Sequence, residues 1–195
     1  MKKIILSILT LCACIPAYAQ SFNGVELSGT RTEFIKKYLN AHPNAEVLWD
    51  IPERHSTMIR DSFLGHKVNI AIDKLANRQD DNIHSLWFDI VIPSSFKWKD
   101  ITSCYENVLS YFTTQYGVPY SFMRKRRFVY PFDNGNHYEK ELYALNLGKC
   151  EYSDMISINN DLRLSISIIH TYDPLNTNVE YNAITISIQP KSGSF

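Results

Sequence analysis

The chain lacks every compact catalytic signature that a sequence can carry. Its seven glycines are scattered singly over 195 residues, so no loop of the G-x-G-x-x-G or G-x-x-x-x-G-K type is present to cradle a phosphate. No H-E-x-x-H or C-x-x-C spacing occurs, and His42, His55, His66, His84, His137 and His170 form no ligand-spaced pair, so a metal site is not expected. G-x-S-x-G is absent, and no S-x-x-K has supporting partners. Asp80-Asp81 lies in a polar stretch with no apolar setting to raise a pKa, and Asp89, inside an apolar strand, reads as a residue at a sheet edge. No cofactor is implied. Charge of either sign is also lacking in excess, with 20 basic and 20 acidic residues, which removes the usual reason to expect nucleic acid or an anionic membrane as partner.

The first apolar run is too short to span a bilayer. Lys2 and Lys3 precede an apolar segment from Ile4 to Cys14, Pro16 breaks it, and Ala17-Tyr18-Ala19 is a small-residue cleavage site before Gln20. Residues 1–19 therefore read as a signal peptide and 20–195 as one domain, periplasmic or secreted. A competing reading takes Leu11-Cys12-Ala13-Cys14 as a lipoprotein site with Cys14 lipidated, the one route by which a membrane would become a partner. Loss of Lys2 and Lys3 takes two of the 20 basic residues and leaves a net charge of −2. About 175 residues suffice to bury a real core.

Only Cys104 and Cys150 remain in that mature chain, and two cysteines in an oxidising compartment lead us to expect a disulfide. It would close a loop of about 46 residues and contribute on the order of 4 kcal/mol in the chain-entropy model. The alternative is two separate buried thiols.

The most strongly patterned stretch runs from Phe96 to Pro119. Ile101, Cys104, Tyr105, Val108, Leu109, Phe112 and Tyr116 recur every three or four residues, which predicts one amphipathic helix, and Gly117 and Pro119 stop it. Thr30 and Glu33 make a capping box for a short helix through Phe34, Ile35, Tyr38 and Leu39, ended at His42-Pro43. Tyr138 to Leu147 predicts a third helix, with Gly148 behind it.

The rest is β in character. Strands are predicted around Phe22–Leu27, Val47–Trp49, Thr57–Leu64, His66–Leu75, Ile83–Ile92 and Phe122–Phe132, with Gly65 as a hairpin turn and Asn77–Asn82 and Asp133–Asn136 as exposed connections. Ile83–Ile92 reads as a central strand apolar on both faces. After Met155, Ile156 and Ile158, the run Leu162–Ile168 alternates apolar residues with Arg163, Ser165 and Ser167, and Ile184–Ile188 alternates them with Thr185 and Ser187. The fold class is α+β, an antiparallel sheet with helices packed on one face. The order of elements is alike in the two halves, which leaves open a duplicated α/β unit without residue-level repetition.

Arg124-Lys125-Arg126-Arg127 is the one local concentration of charge. Flanked by Phe122, Met123, Phe128 and Tyr130, it reads first as a charged edge strand guarded against aggregation, and is the candidate grip for a phosphate, sulfate or carboxylate if the protein has a ligand-facing surface. The start F-x-G-V-x-L-x-G-T-x-x-E-F, Phe22 to Phe34, together with Tyr116-Gly117-Val118-Pro119, resembles small secreted proteins of unknown function from Bacteroidetes-type bacteria. That resemblance implies an exported protein and carries no functional residue. Together these features lead to a non-enzymatic extracytoplasmic module that binds a protein, peptide or envelope component. A small secreted hydrolase with a site assembled from dispersed residues is the alternative.

Overall fold

Asn23 and Gly24 both take positive φ (49° and 80°), and this folds the start of the chain back on itself. The expected single strand is therefore a hairpin, β1 (Ser21–Phe22) against β2 (Val25–Glu26). The computed structural model describes residues 21–51, 56–73, 83, 85–119, 123–129, 139–159, 162–173 and 175–190. The expected signal peptide with Cys14, the connections at 77–82 and 133–136, and Tyr130 lie outside the described residues.

Thr30 Oγ1 accepts from the Glu33 amide (3.2 Å) while Glu33 Oε2 accepts from the Thr30 amide (2.9 Å), and this reciprocal cap starts α1 (Arg31–Ala41). β3 (Glu46–Ile51), β4 (Ser56–Phe63), β5 (His66–Asp73) and β6 (Ser85–Val91) follow. The β4–β5 turn is Leu64-Gly65, both at positive φ, as the glycine led us to expect. α2 (Trp98–Tyr116) buries Ile101, Cys104, Tyr105, Val108, Leu109 and Phe112, the expected stripe, and the Gly117 amide closes it by donating to the Thr113 carbonyl (2.9 Å). Then come β7 (Lys125–Phe128), α3 (Lys140–Asn146), β8 (Cys150–Ser157), β9 (Leu162–Asp173) and β10 (Asn176–Pro190).

Eight strands form one sheet in the order β3-β4-β5-β6-β10-β9-β8-β7, and every neighbouring pair is antiparallel. β6 and β10 form its centre. The pairing register lines up straight rows of side chains across the strands. One row runs Ile59, Ile70, Phe88, Ile186, Ile166 and ends on Asp154. All six are buried, five of them apolar. The five apolar ones share a core with the α2 stripe and with Phe34 and Tyr38 of α1. Phe22 from the N-terminal hairpin plugs into it, its ring centroid 4.1 Å from Phe88 and 5.5 Å from Phe63.

Two expectations need correction. β6 is central, but of its apolar residues only Leu86, Phe88 and Ile90 are buried, while Trp87 and Asp89 point to the other face; the period of two overrides the apolar look of the run. Cys104 and Cys150 are free thiols and form no disulfide. The Cys104 sulfur lies 3.4 Å from His66 Nε2 on β5. Cys150 starts β8, four strand spacings from the strand β5 that Cys104 contacts, roughly 19 Å at about 4.8 Å per strand. That gap exceeds what a disulfide bridges.

Candidate functional sites

The basic run does not make one patch. Strand alternation sends Arg124 and Arg126 to the core-facing side of β7 and Lys125 and Arg127 to the other, and each pair meets an acid on β8. Arg124 Nε lies 2.9 Å from Asp154 Oδ1, and Arg126 holds Asp154 Oδ2. The Tyr105 hydroxyl donates to that same Oδ2 at 2.9 Å. The Arg126 guanidinium stacks 4.0 Å above the Tyr152 ring. Burial pushes the Asp154 carboxyl up, but hydrogen bonds from Arg126, Arg124 and Tyr105 together hold it below its ordinary value. Arg127 Nη2 and Lys125 Nζ reach Glu151 at 2.7 and 3.5 Å. The arginines are thus engaged internally, and β7 is an edge strand.

The face of the sheet turned away from the core is more instructive. One row across seven strands reads Arg60, Asn69, Asp89, Thr185, Ser167, Ser153, Lys125; the next reads Met58, Ala71, Trp87, Ser187, Ser165, Met155. Arg60 Nε donates to Asn69 Oδ1 (3.2 Å), and Thr185 Oγ1 donates to Asp89 Oδ1 (2.6 Å). Asp89 sits mid-sheet, not at an edge as expected. Burial raises its pKa, partly offset by hydrogen bonds from Thr185 and Tyr181. The half-buried Tyr181 hydroxyl, facing the Asp89 charge, is pushed up to about 12. Trp87 is 36% exposed beside this network.

The third place is invisible in the sequence. Cys104 of α2 and His66 of β5, 38 residues apart, meet in the wall shared by two adjoining surface pockets of about 270 Å³ each, lined also by Asn107, Leu64, Phe96, Asp100 and Ser103. Burial raises the Cys104 pKa. The two other described histidines are structural. His42 bridges Asp61 Oδ2 (3.0 Å) and the Asn23 carbonyl (2.9 Å), which pins the N-terminal hairpin, and His170 spans Asn182 and Glu180 within β9–β10. Among the described residues no three His, Cys, Asp or Glu side chains gather as a metal site, and no helix is long and apolar enough to cross a membrane.

No family model matches the chain, and neither the curated proteins nor the solved structures yield a match.

Proposed function

We propose that this chain is a non-enzymatic extracytoplasmic binding module that holds a protein or peptide partner against the sheet face carrying Trp87. The observation that carries the reading is the pair of rows just described: the Trp87 ring beside hydroxyl, amide and carboxylate side chains that are fixed by the Thr185–Asp89 bond on the central strands and the Arg60–Asn69 bond on β4–β5. An aromatic anchor with adaptable polar neighbours on a rigid base is the composition of protein-binding surfaces. In this reading all three helices cover the opposite face, and the domain is two alike units. Each opens with a helix and its strands step inward, β3 to β6 in the first and, with α3 inserted after β7, β7 to β10 in the second, meeting at the β6–β10 seam. An inhibitor built from paired α/β units is a special case. The Bacteroidetes-type resemblance and the expected signal peptide support export, in soluble form or anchored at Cys14. The arginine run is then a guarded edge.

The test compares the chain with Trp87→Glu. Each is immobilised and exposed to envelope extract of the producing cells, and proteins held by the first but not the second are purified and titrated against both. Loss of affinity by tenfold or more in the variant, with melting unchanged, is expected. Identical retained sets, or equal affinities, would overturn the reading.

One observation favours a hydrolase as a second reading: the Cys104–His66 contact beside a pocket. Turnover of a p-nitrophenyl or thiophenyl ester that disappears in Cys104→Ser would support it, and equal turnover in both would end it.

A further inference from the structure

We infer that Cys104 and His66 form a thiol–disulfide exchange site whose ligand is a small, neutral or zwitterionic disulfide. The inference rests on neither reading above. Sγ of Cys104 lies 3.4 Å from Nε2 of His66, within reach of direct proton transfer. Cys104 and His66 both line two pockets of about 270 Å³, the volume of roughly nine waters at ~30 Å³ each, which admits a dialkyl disulfide. The lining suits such a molecule: Phe96 and Leu64 offer apolar contact to the S–S link and its methylenes, and Asn107 and Ser103 offer polar contact to its ends.

The resting thiol is protonated, because burial raises its pKa, so a base is needed at the moment of attack. His66 supplies it. The thiol proton passes to Nε2, and Sγ attacks the nearer sulfur of the disulfide. A Cys104–S bond forms as the old S–S bond breaks, and the departing thiolate takes the proton back from the imidazolium. Cys104 is oxidised to a mixed disulfide and the ligand is reduced to one thiol, with no further oxidant. Unlike acyl transfer, this step needs no oxyanion stabilisation, only a thiolate, a line of approach and a competent leaving group.

Cys150 is a built-in comparison. It is half-buried, and burial with the adjacent Glu151 carboxylate pushes its thiol up to about 11. The reduced full chain is incubated with 2-hydroxyethyl disulfide near neutral pH, and peptide mass mapping reads Cys104 and Cys150 separately over time. The expected result is a reductant-reversible adduct on Cys104, forming at least about tenfold faster than on Cys150. His66→Gln should slow Cys104 by about tenfold or more without altering Cys150. No adduct on Cys104, equal rates at the two cysteines, or an unchanged rate in His66→Gln would overturn the inference. If His66→Gln does not fold, the wild-type pH profile decides. A Cys104 rate that reaches a plateau while the Cys150 rate is still climbing supports the dyad, and one that keeps rising with hydroxide, as for an isolated high-pKa thiol, refutes it.

Discussion

Removing the Asp154 carboxylate should cost the fold more than any other single charge deletion among the described residues. Its side chain is fully buried at the end of an otherwise apolar row, and it faces Arg126 (24% exposed), Arg124 (49% exposed) and the Tyr105 hydroxyl. Breaking a buried pair from one side costs about 3–5 kcal/mol, because the partner is left charged in a poor solvent. Arg124 can turn into water and contributes only about 0.2–1 kcal/mol, as an exposed pair does. Arg126, held between the Tyr105 and Tyr152 rings, cannot escape so easily. Asp154→Ala should therefore lose about 3 kcal/mol, at the low end of the buried range. Urea unfolding followed by tryptophan fluorescence reads this directly, since Trp98 packs edge-on against Tyr152 at 5.6 Å. A cycle with Arg126→Met should return a coupling energy above about 1 kcal/mol. The pH dependence has a definite sign. The folded carboxyl lies below its unfolded value near 3.9, so its stabilisation is complete above that pH and is lost as pH falls toward the folded pKa. Asp154→Ala should flatten the acid limb of the stability curve. A loss under about 1 kcal/mol, or a coupling indistinguishable from zero, would refute the argument that burial makes this pair matter.

Two further outcomes follow from local geometry. Leu64 holds φ of 49° in the β4–β5 turn and is 44% exposed, so Leu64→Gly should raise stability by about 0.5–1 kcal/mol in thermal or urea unfolding. Asp89 has a raised pKa, so its ionised form is penalised in the fold above that pKa and the penalty vanishes below about 4. Asp89→Asn, which keeps an acceptor for Thr185, should therefore be more stable than the native chain at neutral pH and equal to it in acid, as read by melting temperature across pH.

Local periodicity in the sequence was a reliable guide wherever one element meets one core. The α2 stripe from Ile101 to Phe112 is buried as spaced, and the Thr30–Glu33 cap and the Gly65 hairpin are where turn and cap chemistry put them. Misreadings arose where alternation and composition compete. Trp87 and Val91 make β6 look apolar throughout although every second residue faces away from the core. A run of four cations looks like one patch until a strand splits it by parity. Asn23-Gly24 carried a hairpin signal that a loose apolar alternation concealed. Long-range meetings left no local trace. Nothing near Cys104 marks His66 as its neighbour, and nothing near Arg124 or Arg126 marks Asp154, because these contacts are set by strand order.

That strand order also governs when the molecule can be completed. β10 is the last of the described strands in chain order yet occupies the middle of the sheet, bonded on one side to β6 and on the other to β9. Until Asn176–Pro190 is available, β6 keeps a bare rim of amides and carbonyls, and the row from Ile70 through Phe88 stops short of Ile186. Completion of the sheet therefore waits on β10, and a chain cut before Asn176 would expose two sticky rims, on β6 and β9, in place of one closed seam.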